Sequence, residues 1–123
     1  MITIYTDGSP KKIAYVMIRD GQKHKYLEDI NFSTNFEAEY KSIIGALHRV
    51  STLESLLAQT IRIINDNATV VLQILGRNKV KEPRLQKLHS TVIMLKHALE
   101  TRKLNIKFDF VYREQNIAGK LLE

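Results

Sequence analysis

Three carboxylates in this chain, Asp7, Glu39 and Asp66, stand where side chains can do chemistry. Asp7 follows the β-prone run Ile2-Thr3-Ile4-Tyr5-Thr6, and Asp66 follows a second apolar run over residues 61–64. In parallel α/β sheets ligands gather beyond the carboxyl ends of strands, so acids there are neighbours whenever their strands are. Each aspartate has an ordinary alternative, since Asp is also favoured in turns and caps. Glu39 is harder to explain locally. On a helix running from Phe36, the apolar positions span from about −40° (Val50) to about +80° (Ile44), and Glu39 falls near −60°. It sits at the edge of a face expected to be buried, where a carboxylate either snorkels to solvent or finds a partner.

Three carboxylates without His or Cys make a hard, oxygen-only ligand set, which suits Mg²⁺ or Mn²⁺ and not Zn²⁺. Two such ions about 4 Å apart activate a water and stabilise the leaving oxygen in phosphodiester cleavage. Competing chemistries are absent. The chain has no cysteine, which excludes a thiolate metal site, a cysteine nucleophile and a disulfide scaffold. His24, His48, His89 and His97 show no paired ligand spacing. Ser9 lacks the G-x-S-x-G elbow, and neither common phosphate-binding glycine loop occurs.

The elements that must position the acids follow from pattern. Strands are expected over residues 2–6, 13–18 and 23–30, the last two joined by a turn at Asp20-Gly21. Thr34 and Glu37 have capping-box spacing and open a helix whose stripe is Phe36, Tyr40, Ile43, Ile44, Leu47 and Val50. Residues 53–59 extend it or form a second short helix. A strand over 61–64, a short helix over 68–75 between Asn67 and Gly76, a basic loop over 77–83 and a long helix through Leu85, Leu88, Val92, Leu95 and Leu99 follow. Ile106, Phe108 and Phe110 alternate as a last strand with one buried face, and residues 114–123 open a final helix. Tyrosines and phenylalanines are expected mostly in the core. The order β-β-β-α-β-α-α-β-α predicts one α/β domain over 1–123 with a mixed sheet.

Charge adds a location. Of 19 basic and 13 acidic residues, the whole excess of +6 lies in residues 77–103, with eight basic against two acidic residues. Such a stretch is either a solvated helix face or a track for phosphates. No apolar run is long enough for a membrane helix, and the MITIYTDGSP start lacks a signal peptide's basic lead. The expected setting is cytoplasmic, with no membrane partner.

Taken together, four stretches resemble the type 1 ribonuclease H family: Ile4-Tyr5-Thr6-Asp7-Gly8-Ser9; Thr34-Asn35-Phe36-Glu37-Ala38-Glu39-Tyr40, similar to T-N-N-x-A-E-Y; Asn65-Asp66-Asn67 with Val70-Val71 and Gln73-Ile74; and Arg113-Glu114-Gln115-Asn116-Ile117-Ala118-Gly119, similar to R-E-x-N-x-A-D. The resemblance implies a ribonuclease H-like fold: a five-stranded mixed sheet in order 3-2-1-4-5, flanked by helices. It implies cleavage of the RNA strand of RNA–DNA hybrids by two Mg²⁺ or Mn²⁺ ions held by acids. By resemblance Asp7 bridges both ions, Glu39 holds one near the RNA 2′-hydroxyl, and Asp66 holds the other near the attacking water. Gly8, Ser9, Asn35, Lys79, Lys81, Arg84, Arg113 and Asn116 become expected contacts to nucleic acid.

The chain departs from the family pattern in four places. Gly119 occupies the position of the fourth acid, and Phe36 that of the second Asn of T-N-N. The glycine-rich insert after the first acid is reduced to Pro10-Lys11-Lys12, and the expected final helix is short. Glu114 and Glu123 are candidates to replace the missing acid. Two functions follow: a slow, metal-dependent hybrid endonuclease, or a non-catalytic relative that binds hybrid or duplex nucleic acid or acts as an interaction module. A transposase or resolvase core shares the fold but is not matched by the T-N-x-x-A-E-Y stretch.

Overall fold

A computed structural model describes residues 1–54, 56 and 59–123. Its order is β1 (Ile2–Ser9), β2 (Lys12–Arg19), β3 (Gln22–Asp29), α1 (Asn35–Ser51), β4 (Thr60–Asn65), α2 (Ala68–Ile74), α3 (Pro83–Glu100) and β5 (Asn105–Phe110). Short 3₁₀ turns cover Arg113–Gln115 and Ile117–Leu122. The sheet runs β3-β2-β1-β4-β5, as the resemblance implies. β1, β2 and β3 pair antiparallel, whereas β4 pairs parallel with β1 and with β5.

Local chemistry explains most boundaries. Asp20 and Gly21 both adopt positive φ (52° and 75°), the left-handed pair that a tight hairpin between β2 and β3 requires. Thr34 caps α1 by accepting from Glu37 N at 3.2 Å, and Glu37 returns the bond to Thr34 N at 3.0 Å. Asn67 caps α2 through Val70 N, and Gly76 ends that segment at φ 77°. α1 buries Tyr40, Ile43, Ala46, Leu47 and Val50 against a sheet face carrying Ile2, Ile4, Ile61 and Ile63, all at most 1% exposed. Leu85, Val92 and Leu99 of α3 join the same core.

Four expectations need correction. β1 does not end at Asp7: it continues through Ser9, because Asp7, Gly8 and Ser9 pair with Ala14, Ile13 and Lys12. The turn falls at Pro10-Lys11, and the acid is held on a strand and not on a loop. α1 stops at Ser51 with Thr52 as its C-cap; of the expected extension, residues 55, 57 and 58 lie outside the described residues. The tail forms 3₁₀ turns where an α-helix was expected. Phe36, Phe110, Phe32 and Tyr112 are 40–79% exposed and leave the core to other residues. No helix among the described residues is long and apolar enough to cross a membrane.

Candidate metal centre and nucleic-acid interface

The parallel register of β1 and β4 places Thr6 beside Asn65, so Asp7, still on β1, and Asp66, just after β4, lie side by side where the pairing of these two strands ends. α1 crosses β1 immediately above. A Cβ at Gly8 would lie 2.3 Å from the Ala38 carbonyl oxygen, so only glycine permits this approach. The close crossing lets Gly8 N donate to Glu39 Oε1 at 2.8 Å and carries Glu39, 8% exposed, to the aspartates. Asp7, Glu39 and Asp66 each offer a carboxylate oxygen, and these atoms lie within 4.8 Å of one another. Three acids separated by 32 and 27 positions in the chain thus lie together in one cluster.

A buried polar network that the sequence reading missed supports the cluster. Asn65 donates through Nδ2 to Glu39 Oε1 (3.3 Å), Thr6 Oγ1 (3.0 Å) and Thr6 O (3.2 Å). Thr6 donates its hydroxyl to Ile64 O at 2.8 Å, tying β1 to β4. Asn65 Oδ1 accepts from Asn67 N at 2.8 Å, which shapes the turn that presents Asp66. Thr6 and Asn65 carried a signal: both are polar residues at inward-facing ends of apolar strands.

Electrostatics describes a site short of positive charge. Burial raises the Asp7 carboxyl above its ordinary value, and the Asp66 charge adds to the shift; a bond from Gly8 N and the charge of Arg113 act in the opposite direction. Burial, then the charges of Asp7 and Asp66, push Glu39 up to about 9. A divalent cation relieves all three effects at once, and the oxygen-only donors match Mg²⁺ or Mn²⁺. The residues present therefore fit a hard divalent ion.

The cluster floors a cleft of about 670 Å³. Of the residues expected at nucleic acid, Gly8, Ser9, Asn35 and Arg113 line it. Lys79, Lys81 and Arg84 do not. Lys79 lies in a separate groove with Gln73 and His89, Arg84 in a groove beyond Phe36, and Lys81 is exposed in the loop before α3. Asn116 is a correction: it is 2% exposed, donates to Thr6 O at 2.9 Å and accepts from Ala118 N at 3.2 Å. Its amide is buried and bonded at both ends inside the protein, so it holds the Gly119 turn against β1 and does not line the cleft. The basic stretch is also divided. Lys96 pairs with Glu100, and Arg102 donates to the carbonyls of Ser51 and Leu53, fastening the end of α3 to the end of α1.

The missing acid has a defined place. A Cβ on Gly119 would stand 2.9 Å from Asp7 Oδ2, so position 119 faces the cluster without contributing to it. Glu114 and Glu123 are exposed, and neither belongs to the carboxylate cluster among the described residues; Leu122 faces the cleft instead. Neither candidate takes the place of the fourth acid in this arrangement.

Comparison with known proteins agrees with this geometry. A family model described as reverse transcriptase-like matches residues 16–122, which include Glu39 and Asp66 and begin after Asp7. The structure of LC11-RNase H1, isolated from compost by a metagenomic approach, is 28% identical over 98% of this chain and 91% of that one, with a TM-score of 0.86. LC11-RNase H1 in complex with an RNA/DNA hybrid is 26% identical over 100% of both chains, with a TM-score of 0.79. The N-terminal RNase H domain of Rv2228c from Mycobacterium tuberculosis, solved as a fusion with maltose binding protein, is 26% identical over 98% of this chain and 88% of that one, with a TM-score of 0.80. No curated protein gives a match. The chain belongs to the reverse transcriptase-like family and has its ribonuclease H-like fold.

Proposed function

We propose that the protein is a divalent-metal-dependent endonuclease that cuts the RNA strand of RNA–DNA hybrids, more slowly than a relative with four acids. The observation that carries the reading is the convergence of Asp7, Glu39 and Asp66, with ligand atoms within 4.8 Å, at the floor of an open cleft. The similarity to a ribonuclease H1 solved with an RNA/DNA hybrid supports the substrate class.

Asp7, Glu39 and Asp66 would hold the ion or ions. A bound divalent ion supplies Lewis-acid activation of the phosphodiester and of the attacking water. The chain's own groups do the rest. Gly8 N and Asn65 Nδ2 fix Glu39 Oε1, so the carboxylate is oriented before any ligand arrives. Arg113, exposed on the cleft wall, would meet a substrate phosphate. Ser9 and Asn35 offer short polar side chains to the backbone of the bound strand. With Gly119 in place of an acid, three carboxylates would share the work of four, and a second ion would be held weakly.

A second reading, that the protein binds hybrid without cutting it, is favoured by Gly119 alone. One experiment separates them. A hybrid labelled on both strands is incubated with Mg²⁺ or Mn²⁺, beside the Asp7→Asn variant. Cleavage confined to RNA and lost in the variant supports the enzyme. Binding without cleavage supports the second reading, and equal products from parent and variant refute the first.

A further inference from the structure

β3 is an edge strand: in the order β3-β2-β1-β4-β5 its outer side pairs with no strand among the described residues. Its backbone groups divide by position. Ile30 N donates to Lys11 O at 2.9 Å, in line with the register that pairs Lys12 with Asp29, so the even-numbered residues of β3 exchange bonds with β2. The odd-numbered residues Lys23, Lys25, Leu27 and Asp29 therefore turn N–H and C=O outward, and all four are exposed. An unpaired edge of this length is a template for another strand unless the sequence opposes it.

The side chains decide which strand fits. Tyr26 stacks on Tyr15 at 5.0 Å beneath the Arg49 guanidinium, and Glu28 accepts from the Tyr15 hydroxyl, so His24, Tyr26 and Glu28 face α1. Lys23, Lys25, Leu27 and Asp29 face the other way. Leu27 is 48% exposed, and Asp29 pairs only loosely with Lys12, at 3.9 Å. The cations stand at the start of β3 and the acids at its end. Lysines on an edge repel a strand that brings cations to them. They suit a strand that runs the opposite way and ends in acids, and β3 itself is such a strand.

We infer that β3 is a self-complementary docking edge, through which two copies of the chain join as an antiparallel two-fold dimer with one continuous sheet. A two-fold axis through Tyr26, perpendicular to the sheet, sets Lys23 opposite Asp29 of the second copy, His24 opposite Glu28, and Lys25 opposite Leu27. Residues set opposite each other then share a face of the sheet, and each outward-turned backbone group meets a partner. Moving the axis to Lys25 sets that lysine against itself. Moving it to Leu27 leaves Lys23 and His24 beyond the paired segment. A parallel pairing in register sets every charge against its like. No residue of β3 lines the acid cleft, so the dimer does not draw on the metal centre.

Sedimentation equilibrium of the full chain tests this without substrate or metal. One edge strand makes a small interface, so half-association is expected between about 10 μM and about 1 mM. Lys23→Glu sets an acid opposite Asp29 and should weaken the dimer roughly tenfold, as should Asp29→Lys, which sets a cation opposite Lys23. The double variant Lys23→Glu, Asp29→Lys reverses both ends of the strand and should recover the parent affinity. Leu27→Pro removes an outward donor that β2 does not use, and should abolish the dimer. Amide exchange gives a second readout: Lys23, Lys25, Leu27 and Asp29 should slow as concentration rises, whereas His24, Tyr26 and Glu28 should not change. A monomer throughout that range, a dimer indifferent to both single reversals, or a double variant no tighter than the singles overturns the inference. Each of these results leaves the nuclease reading untouched.

Discussion

Replacing Gly119 with aspartate tests the geometry of the site at its weakest point. A Cβ there would lie 2.9 Å from Asp7 Oδ2 and 3.9 Å from Asp7 Cγ, so the new carboxylate joins the cluster directly. The close contact falls on a terminal oxygen of Asp7, which a rotation of its carboxylate relieves. At about 4 Å and an effective dielectric near 20, a unit charge pair is worth about 4 kcal/mol, and a divalent ion doubles that. Desolvation of the new acid and its repulsion by three resident carboxylates consume most of the gain. A net of about 2 kcal/mol remains, or roughly thirtyfold in affinity for the more weakly held ion. Calorimetric titration with Mn²⁺ should show the tighter binding, and the rate of hybrid cleavage at limiting Mn²⁺ should rise with it. Gly119→Ala supplies the steric control: it crowds Asp7 without adding a ligand, and should bind Mn²⁺ no better than the parent. If the aspartate and alanine variants bind Mn²⁺ alike, position 119 does not face the metal centre and the reasoning fails.

Other consequences can be checked independently. Gly8→Ala forces a Cβ to 2.3 Å from Ala38 O. Pushing α1 off β1 should cost about 2–3 kcal/mol, seen as a Tm lower by about 10 °C, with Mn²⁺ binding lost as Glu39 moves away. In metal-free protein Glu39 stays protonated until about pH 9, whereas the unfolded chain releases that proton near 4.5. The folded state thus holds the extra proton, and chelated protein should lose stability as pH rises from about 4.5 to about 9. Over the same window Mn²⁺ affinity should rise by about tenfold per pH unit, as the ion displaces that proton; a pH-independent affinity would show that the carboxyl is already ionised. If the exposed cations before and at the start of α3 follow phosphates outside the cleft, the combined change of Lys79, Lys81 and Arg84 to alanine should flatten the salt dependence of hybrid binding by about two to three in slope. An unchanged slope assigns them to a solvated face.

The sheet order and the three acids are legible in the sequence for different physical reasons. The ends of two apolar runs single out Asp7 and Asp66, although β1 continues past Asp7, and the helical angle singles out Glu39 because nothing beside it on α1 accounts for a carboxylate. The strand order came through the motif resemblance, not through periodicity. Polar residues at the ends of apolar strands flag Thr6 and Asn65, but the bonds between them are not legible, because they depend on the register of strands whose bonded residues are 59 positions apart. Asn116 shows the same limit: a polar residue in a motif reads as a contact, and only packing reveals that Thr6 and Ala118 already occupy it. The run Asp7-Gly8-Ser9 has turn chemistry, yet pairing with β2 extends the strand through it, and Pro10 marks the actual turn. Phe36 and Phe110 fit the apolar period but stand at the ends of their elements, where the facing layer no longer covers them.

The account depends above all on Asp7, Glu39 and Asp66 acting as one divalent centre. Direct titration of the parent with Mn²⁺, followed by electron paramagnetic resonance, tests this without reference to any substrate. At least one ion should bind, with Asp7→Asn, Glu39→Gln and Asp66→Asn each weakening it while the thermal transition of the metal-free protein is retained. Mn²⁺ that fails to bind, or binds equally well in all three variants, would contradict it.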